Sequence, residues 1–143
     1  MAPTHPTPST PESSVAANKA LIRALYDAVN ARDDDALRRL CSPAMGEWLT
    51  GAVRTGWGRF DASWEILDLI AEGDRVAVKW RREGRYSGDY QGIPVDGQHL
   101  SHDGVRLWRI ENGRVAESYA ATNHVPVLRQ LGVLPAAQGQ GGS

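Results

Sequence analysis

The sequence predicts an α+β fold, a cone in which a curved antiparallel sheet wraps around N-terminal helices. Apolar residues recur at helical spacing between residues 15 and 41, and strict alternation replaces that spacing from Trp64 onward. Asn112-Gly113 separates two alternating segments and is typical of a two-residue hairpin turn, which makes the neighbouring strands antiparallel. A short apolar helix closes the pattern.

The first helix is predicted over about residues 15–31, with Ser14 as its N-cap. The apolar stripe of this helix contains Ile22, Leu25 and Val29. Asp34 is predicted to cap a short second helix that Pro43 ends. Residues 46–60 mix glycines with tryptophans, and we interpret them as a short strand and a loop.

The alternating part of the chain predicts four strands, over residues 64–71, 75–86, 100–110 and 114–122. Residues 87–97 are rich in Gly, Pro and Asp and predict a loop. The last helix covers about residues 124–131, where Pro126 falls in the first turn and Gly132 supplies the stop.

Length and composition indicate one domain. The chain has 143 residues, and we expect a folded domain at 14–135 between disordered tails at 1–13 and 136–143. The 16 basic and 17 acidic residues give a net charge of −1, so we expect no nucleic-acid partner. No apolar stretch approaches the roughly 18 residues of a membrane span, and the first residues lack the apolar segment of a signal peptide. With Cys41 as the single cysteine, a cytoplasmic location is expected.

The strand at residues 100–110 carries apolar residues on both of its faces. One face contains Leu100, His102, Gly104, Arg106, Trp108 and Ile110. The opposite face carries Val105 and Leu107 near its middle. We therefore expect helices to cover the first face and a second subunit to cover the other, giving a homodimer.

Four segments resemble the SnoaL-like polyketide cyclase family. Residues 73–80 (GDRVAVKW) are similar to its "GDRVAVRW" strand, and residues 88–94 (GDYQGIP) to "GxFxGIPPTG". Residues 109–115 (RIENGRV) resemble "FRIxDGKI", and residues 128–132 (LRQLG) resemble "LLRQLG". The resemblance implies the α+β cone of the nuclear transport factor 2-like and ketosteroid isomerase-like superfamily.

The resemblance implies ring closure of polycyclic ketides by aldol chemistry, with neither metal nor organic cofactor, and this chain departs from it at the reactive positions. The family's "E-x-W-D" segment is Glu117-Ser118-Tyr119-Ala120 here, so a methyl group stands at the acid/base position. Arg106 aligns with a family histidine and Asn123 with a second family aspartate. The connection before Phe60 is also short, so a pocket wall is either missing or refilled by Trp48 and Trp57.

His102 and Arg106 are the predicted catalytic residues. His102 is placed to act as a general acid/base, or to be a buried histidine bonded to a backbone group or a tyrosine. Arg106 is placed to hold an enolate, carboxylate or phenolate, or to pair with an internal carboxylate. If both face one cavity, Arg106 is expected to keep His102 neutral at pH 7.

A flat aromatic ligand is expected to contact four further side chains, namely Tyr26, Trp80, Tyr86 and Asn123. The alternatives are ordinary core packing for the aromatic residues and a helix cap for Asn123. His99 and His102 are three apart on a strand and point to opposite faces, so we expect no metal site.

The sequence therefore predicts a cofactor-independent enzyme of secondary metabolism and antibiotic biosynthesis. Its substrate would be a polycyclic or otherwise apolar carbonyl compound, which it would cyclise or isomerise as a lyase or isomerase. Two alternatives stay open. One is a cofactor-free hydroxylase or an epoxide-opening enzyme, and the other is a ligand-binding protein without catalysis, which Ala120 favours.

Overall fold

The computed structural model describes residues 11–135, with the tails predicted at residues 1–10 and 136–143 outside this range. It contains four helices, α1 (Pro11–Ala31), α2 (Asp34–Leu40), α3 (Pro43–Arg54) and α4 (Val125–Gln130). It also contains five strands, β1 (Phe60–Asp61), β2 (Trp64–Glu72), β3 (Arg75–Tyr90), β4 (Ile93–Glu111) and β5 (Arg114–Asn123). A single 3₁₀ turn, Trp57–Arg59, precedes β1.

The first two helices differ from the prediction only at their beginnings. α1 begins at Pro11, so Ser14 lies inside it rather than at its cap, and the predicted tail at 11–13 is helical. The cap of α2 is Asp33, one residue before the predicted one, and its carboxylate accepts a hydrogen bond from the Ala36 amide at 3.1 Å.

The prediction of a strand and loop at residues 46–60 is wrong, because α3 occupies most of it. Ser42 caps α3 by accepting from the Met45 amide, and Pro43 fits the first turn, where no backbone donor is needed. Leu49 and Val53, four residues apart, are buried on one face. Pro43 therefore begins a helix instead of only ending one.

The sheet is antiparallel throughout. β1 and β2 pair with the two ends of β3, and the order then continues through β4 to β5. The loop predicted at residues 87–97 is instead the tip of a long β3–β4 hairpin. Gln91 and Gly92 both have positive φ there, which suits a two-residue turn, and the predicted turn at Asn112-Gly113 has the same property.

The helices pack on the concave face of this sheet, which is curved and not closed. The predicted α+β fold is confirmed. The main core joins α1–α3 to the middle of the sheet, and a second cluster lies between the tip of the β3–β4 hairpin and α4. Among residues 11–135, no helix is both long and apolar enough to cross a membrane.

Candidate functional site

The interior face of the sheet carries most of the predicted site residues. On β4, buried Leu100 and Trp108 mark the inward face that also carries His102 and Arg106, whereas Val105 between them is 47% exposed on the outer face. Trp80 on β3 pairs in register with Gly104 of that strand. A Cβ on Gly104 would lie 2.6 Å from the Trp80 ring, so only glycine leaves room for this indole.

Asn123 does not join the interior site. It pairs with Asp103, the outward neighbour of His102, and its side chain is exposed. The cap of α4 is His124, with no side-chain hydrogen bond to the helix, so Asn123 does not take the alternative role of cap either.

All five tryptophans of the chain belong to one network of ring contacts. A row of rings runs along the interior through Trp48, Trp57, Trp64 and Trp80, with centroids 4.6–5.9 Å apart. Tyr26 of α1 touches both Trp64 and Trp108 edge to face, and its hydroxyl accepts from the Trp108 indole at 3.2 Å. Burial raises the pKa of Tyr26 to about 12, so it is protonated at neutral pH. Aromatic rings thus occupy the interior.

Arg106 lies in a box of three of these indoles. Its guanidinium carbon is 5.7, 5.3 and 5.4 Å from the ring centres of Trp48, Trp57 and Trp108, respectively. Its Nη1 donates to the Ser118 hydroxyl at 2.8 Å. Burial lowers the pKa of Arg106, and Tyr26 partly opposes that shift. Trp48 on α3 and Trp57 in the turn after it therefore form one side of the surroundings of Arg106.

Ala120 is directly opposite Arg106 in the β4–β5 register. The family acid/base position therefore lies next to Arg106 on the neighbouring strand, and its side chain there is only a methyl group. Within residues 14–135, no Asp or Glu side chain is buried. Arg106 therefore supplies a positive charge to the interior but has no carboxylate partner among these residues. The predicted alternative of an internal ion pair is wrong.

His102 lies between the two core clusters. Its ring is 4.8 Å from Phe60, 5.1 Å from Trp80 and 6.3 Å from Tyr90, measured between centroids. Both ring nitrogens are buried and have no hydrogen-bond partner among residues 11–135, which is costly unless a ligand or water satisfies them. The predicted alternative, a histidine bonded to backbone or tyrosine, is therefore wrong.

The pKa of His102 is lowered from its ordinary value of 6.5 to about 4, so the imidazole is neutral at pH 7. Burial is the largest cause, followed by the charges of Arg82 and His124. The neutral imidazole agrees with the prediction. The predicted cause was Arg106, however, and the cation that lowers the pKa of His102 is Arg82. The ring contacts that join His102 to Arg106 run through Trp80, Trp64 and Trp57.

Arg82 was not predicted from the sequence and is the most deeply buried charged residue described. It is 5% exposed and stacks between Phe60 and Trp64, with its guanidinium carbon 4.9 and 4.4 Å from their ring centres. Its Nη2 donates to the backbone carbonyls of Trp57, Phe60 and Ala62 at 3.0–3.3 Å. Arg82 thereby fastens the segment before β2 to the sheet.

Two tyrosines and a histidine surround the far side of His102. The Tyr90 hydroxyl and His124 Nδ1 are 2.7 Å apart, and neither residue was singled out in the sequence. The predicted residue Tyr86 packs edge to face on Phe60 and Tyr90, and its hydroxyl donates to the Asp89 carbonyl. Tyr86 therefore lies beside the His102 site and not beside Arg106.

Features outside the interior are less suited to ligand chemistry. An open groove of about 530 Å³ lies between the start of α3 and the β4–β5 hairpin. Four charged side chains line it, and among them Arg109 is already paired with Glu111 and Glu117. Across residues 11–135, no three His, Cys, Asp or Glu side chains gather where a metal ion could bind. The interior is thus the best candidate site.

The chain belongs to the SnoaL-like polyketide cyclase family, whose model matches residues 19–131. The resemblance found in the sequence is therefore confirmed. No curated protein matches the chain.

Several solved structures are similar to it. TsrD from Streptomyces laurentii is 26% identical with a TM-score of 0.73, over 83% of this chain and 97% of that one. AclR from Streptomyces galilaeus, a candidate hydroxylase, is 27% identical with a TM-score of 0.71, over 86% and 85%. IdmH from Streptomyces antibioticus, a candidate polyketide cyclase, is 25% identical with a TM-score of 0.69, over 81% and 99%.

Proposed function

We propose that this protein is an enzyme of secondary metabolism that binds an apolar, polycyclic carbonyl compound and cyclises or isomerises it by proton transfer. The observation that carries the proposal is the state of Arg106, a half-buried cation with a neutral hydroxyl as its hydrogen-bond partner and indole faces around it. A fixed guanidinium in a low-dielectric interior stabilises negative charge that develops on a ligand oxygen.

His102 is the general base in this proposal. It is neutral at pH 7 and has two ring nitrogens without partners, so one of them is free to accept a proton from an acidic carbon or a hydroxyl. His102 and Arg106 are four residues apart on β4, about 13 Å along the strand, so one ligand reaches both only if it is long and flat. A fused-ring carbonyl compound has that shape, and conjugation along it carries charge from the deprotonated end to the oxygen at Arg106.

Binding requires the rings to move. Trp48 is 47% exposed, whereas Trp80 and Trp108 are each 1% exposed. Trp48 is carried by α3 and Trp57 by the turn that follows it, so both lie on segments outside the sheet. A ligand that displaces these two indoles replaces their contacts with Arg106 by its own.

Two alternatives have a specific observation in their favour. Ala120 opposite Arg106 favours a ligand-binding protein without catalysis. The similarity to AclR, a candidate hydroxylase at 27% identity, favours hydroxylation, with epoxide opening as a related possibility. As to location, we propose the cytoplasm, where the buried thiol of Cys41 stays reduced.

The binding role of Arg106 is tested by comparing 2-naphthoate with the neutral 2-naphthamide in titration calorimetry. We expect the carboxylate to bind about tenfold or more tightly than the amide, and Arg106→Gln to abolish that preference. The control is Arg81→Gln, an exposed arginine on the outer face of β3. Equal affinity for both probes in the unchanged protein would refute an anion site.

Catalysis is tested by the exchange of hydrogens beside the carbonyl of 2-tetralone for deuterium, followed by proton NMR in heavy water. We expect exchange above the buffer rate, lost in His102→Ala with little change in affinity. Arg106→Ala should weaken the binding of 2-naphthoate and leave the exchange of 2-tetralone nearly unchanged, because the single oxygen of that ketone cannot lie beside His102 and reach Arg106 at the same time. Binding of 2-tetralone without exchange would favour the non-catalytic alternative.

The outer face of the sheet supports the predicted homodimer. Ile70, Ala77, Leu107 and Tyr119 form one apolar row across four strands. Ile70 is 62% and Tyr119 74% exposed, and an adjacent row of charges borders them. We propose that a second copy covers this row.

Leu107→Asp places a charge in the middle of that row and should shift the protein from dimer to monomer. Sedimentation at micromolar concentration measures the change. Ser87→Asp, at the far end of β3, is the matched control and should stay dimeric. A monomeric unchanged protein would contradict the proposal.

A further inference from the structure

The Tyr90–His124 pair lies on the opposite side of His102 from the tryptophan row. Tyr90 is the last residue of β3, and His124 is the cap residue of α4. The 2.7 Å contact between the Tyr90 hydroxyl and His124 Nδ1 joins the hairpin tip to that helix. Tyr90 also packs edge to face on the His102 ring at 6.3 Å.

Packing holds this pair in place. Tyr90 is 5% exposed and belongs to the second core cluster, whose other members include the fully buried Leu100 and Val127. Burial, and after it Tyr86, raise the pKa of Tyr90 to about 12, so its hydroxyl carries a proton at neutral pH. A second ring contact, between Tyr90 and His124 at 5.6 Å, fixes their relative position.

The Tyr90 hydroxyl is absent from the family motif that residues 88–94 otherwise resemble. "GxFxG" has phenylalanine where this chain has Tyr90. Phenylalanine would give the same ring packing, so stability alone does not require the oxygen. The oxygen instead places a proton donor beside His102, whose nitrogens have no partner within residues 11–135.

We propose that Tyr90 is the proton donor of the interior site, that His102 is the matching proton acceptor, and that His124 is a positioning residue acting through Tyr90. This inference rests on the proposed function and names a second catalytic residue for it. Arg106 then holds a separate, more distant oxygen of the same ligand.

The reaction is an isomerisation through an enol, in which protons and electrons balance. His102 takes the proton from a carbon beside the ligand carbonyl, and the C–H electrons become the enol double bond. The carbonyl oxygen takes the Tyr90 proton, leaving a phenolate that the His124 Nδ1–H stabilises by donating to it. The Tyr90 oxygen then recovers the enol proton as protonated His102 delivers its proton to a carbon of the ligand.

This sequence of steps defines the ligand class as a cyclic ketone with an acidic hydrogen beside its carbonyl. The Tyr90 and His102 rings touch edge to face with their centres 6.3 Å apart, so the two side chains are close enough to act on a carbonyl oxygen and on the carbon next to it in one ligand. Aromatic walls from Phe60 and Trp80 favour a ketone fused to an aromatic ring.

The test uses 2-tetralone and deuterium exchange with the full chain. We expect Tyr90→Phe to lower the exchange rate about 100-fold with KM unchanged, because the variant keeps the ring and loses only the donor. Tyr119→Phe removes the same atom from a side chain that is 74% exposed on the outer face, and should exchange at the normal rate. Near-ultraviolet circular dichroism verifies that both variants remain folded.

His124 is tested by two substitutions. His124→Asn keeps a polar atom close to the place of Nδ1, and His124→Leu does not. We expect Leu to lower the rate about tenfold or more with KM unchanged, and Asn to restore most of it.

The outcomes separate this proposal from the one on which it rests. Exchange that survives in Tyr90→Phe overturns the donor role of Tyr90 and leaves the proposed function standing. Exchange lost equally in the Leu and Asn variants overturns the positioning role of His124. No exchange by the unchanged protein overturns the proposed function and this proposal together.

Discussion

The interior contains two arginines on adjacent strands, buried Arg82 and half-buried Arg106, whose surroundings differ. Arg82 gives one nitrogen to three backbone carbonyls and stacks between two aromatic rings. Arg106 gives one nitrogen to the Ser118 hydroxyl and has indoles on its other sides. Neither has a carboxylate partner among the ion pairs of residues 14–135.

The comparison separates a structural cation from a binding one. The backbone carbonyls that accept from Arg82 cannot move away without disrupting the segment before β2. This guanidinium therefore has a structural role. The partners of Arg106 include a rotatable hydroxyl and two rings on α3 and the following turn, which a ligand can replace, whereas Trp108 is fixed on β4. The number and kind of hydrogen-bond acceptors thus indicate which arginine can bind a ligand.

The largest expected effect is on stability. Arg82→Ala should lower the free energy of unfolding by about 3 kcal/mol, because it strips three carbonyls of their donor and leaves a cavity between two rings. Arg106→Ala should lower it by less, about 1 to 2 kcal/mol, since one hydroxyl hydrogen bond and the contacts with the indoles are lost. Urea denaturation measures both.

The exposed Arg81 on β3 provides the control for this pair. Its ion pair with Glu65 lies on the outer face at 2.9 Å, and Arg81→Ala should change the free energy of unfolding by less than about 1 kcal/mol. Equal destabilisation by the Arg82 and Arg106 variants would remove the distinction between them.

The second effect concerns binding at Arg106. Ala120→Asp places a carboxylate opposite this guanidinium, so an internal ion pair should form and compete with an anionic ligand. We expect 2-naphthoate to bind about tenfold more weakly and 2-naphthamide to bind as before. We also expect activity on a ligand that reaches Arg106 to fall rather than to become cyclase activity.

Ala121→Asp is the matched control, because it adds the same charge one residue further along β5 on the outer face. It should leave both affinities unchanged. Unimpaired binding of 2-naphthoate by Ala120→Asp would show that the anion binds elsewhere.

Most of the fold was predictable because the strand pattern is local. Alternation around Val76, Val78 and Trp80 located β3, and Asn112-Gly113 located the turn. α3 was missed because glycines and tryptophans mask its helical spacing, although Ser42-Pro43 is a good helix start. The β3–β4 tip was missed because Gly, Pro and Asp, which are typical of loops, also occur in bulged strand ends.

The candidate site was only half predictable. His102 and Arg106 followed from the alternation of β4, and Arg82 could have been found as the next inward position after Trp80. The contact between Tyr90 and His124 joins residues 34 apart, so no spacing rule reveals it. The separation of His102 from Arg106 follows from strand geometry, since four residues of a strand span about 13 Å, whereas the rings that surround each of them depend on the tertiary structure.

The smallest expected effect distinguishes the two arginines through His102. Its pKa is about 4 in the folded protein and ordinarily 6.5, so between these values the unfolded chain binds more protons than the folded one. The free energy of unfolding should therefore fall as pH is lowered from 6.5 to 4, by about 1 to 2 kcal/mol from this group. Urea denaturation across this range measures it, and His102→Gln, which does not titrate, should show a shallower fall by that amount. Since the depressed pKa arises from burial and then from Arg82, Arg106→Gln should keep the full pH dependence of the unchanged protein. If Arg106→Gln instead flattened the profile as His102→Gln does, Arg106 would be the cation acting on His102, and the division between the two arginines would fail.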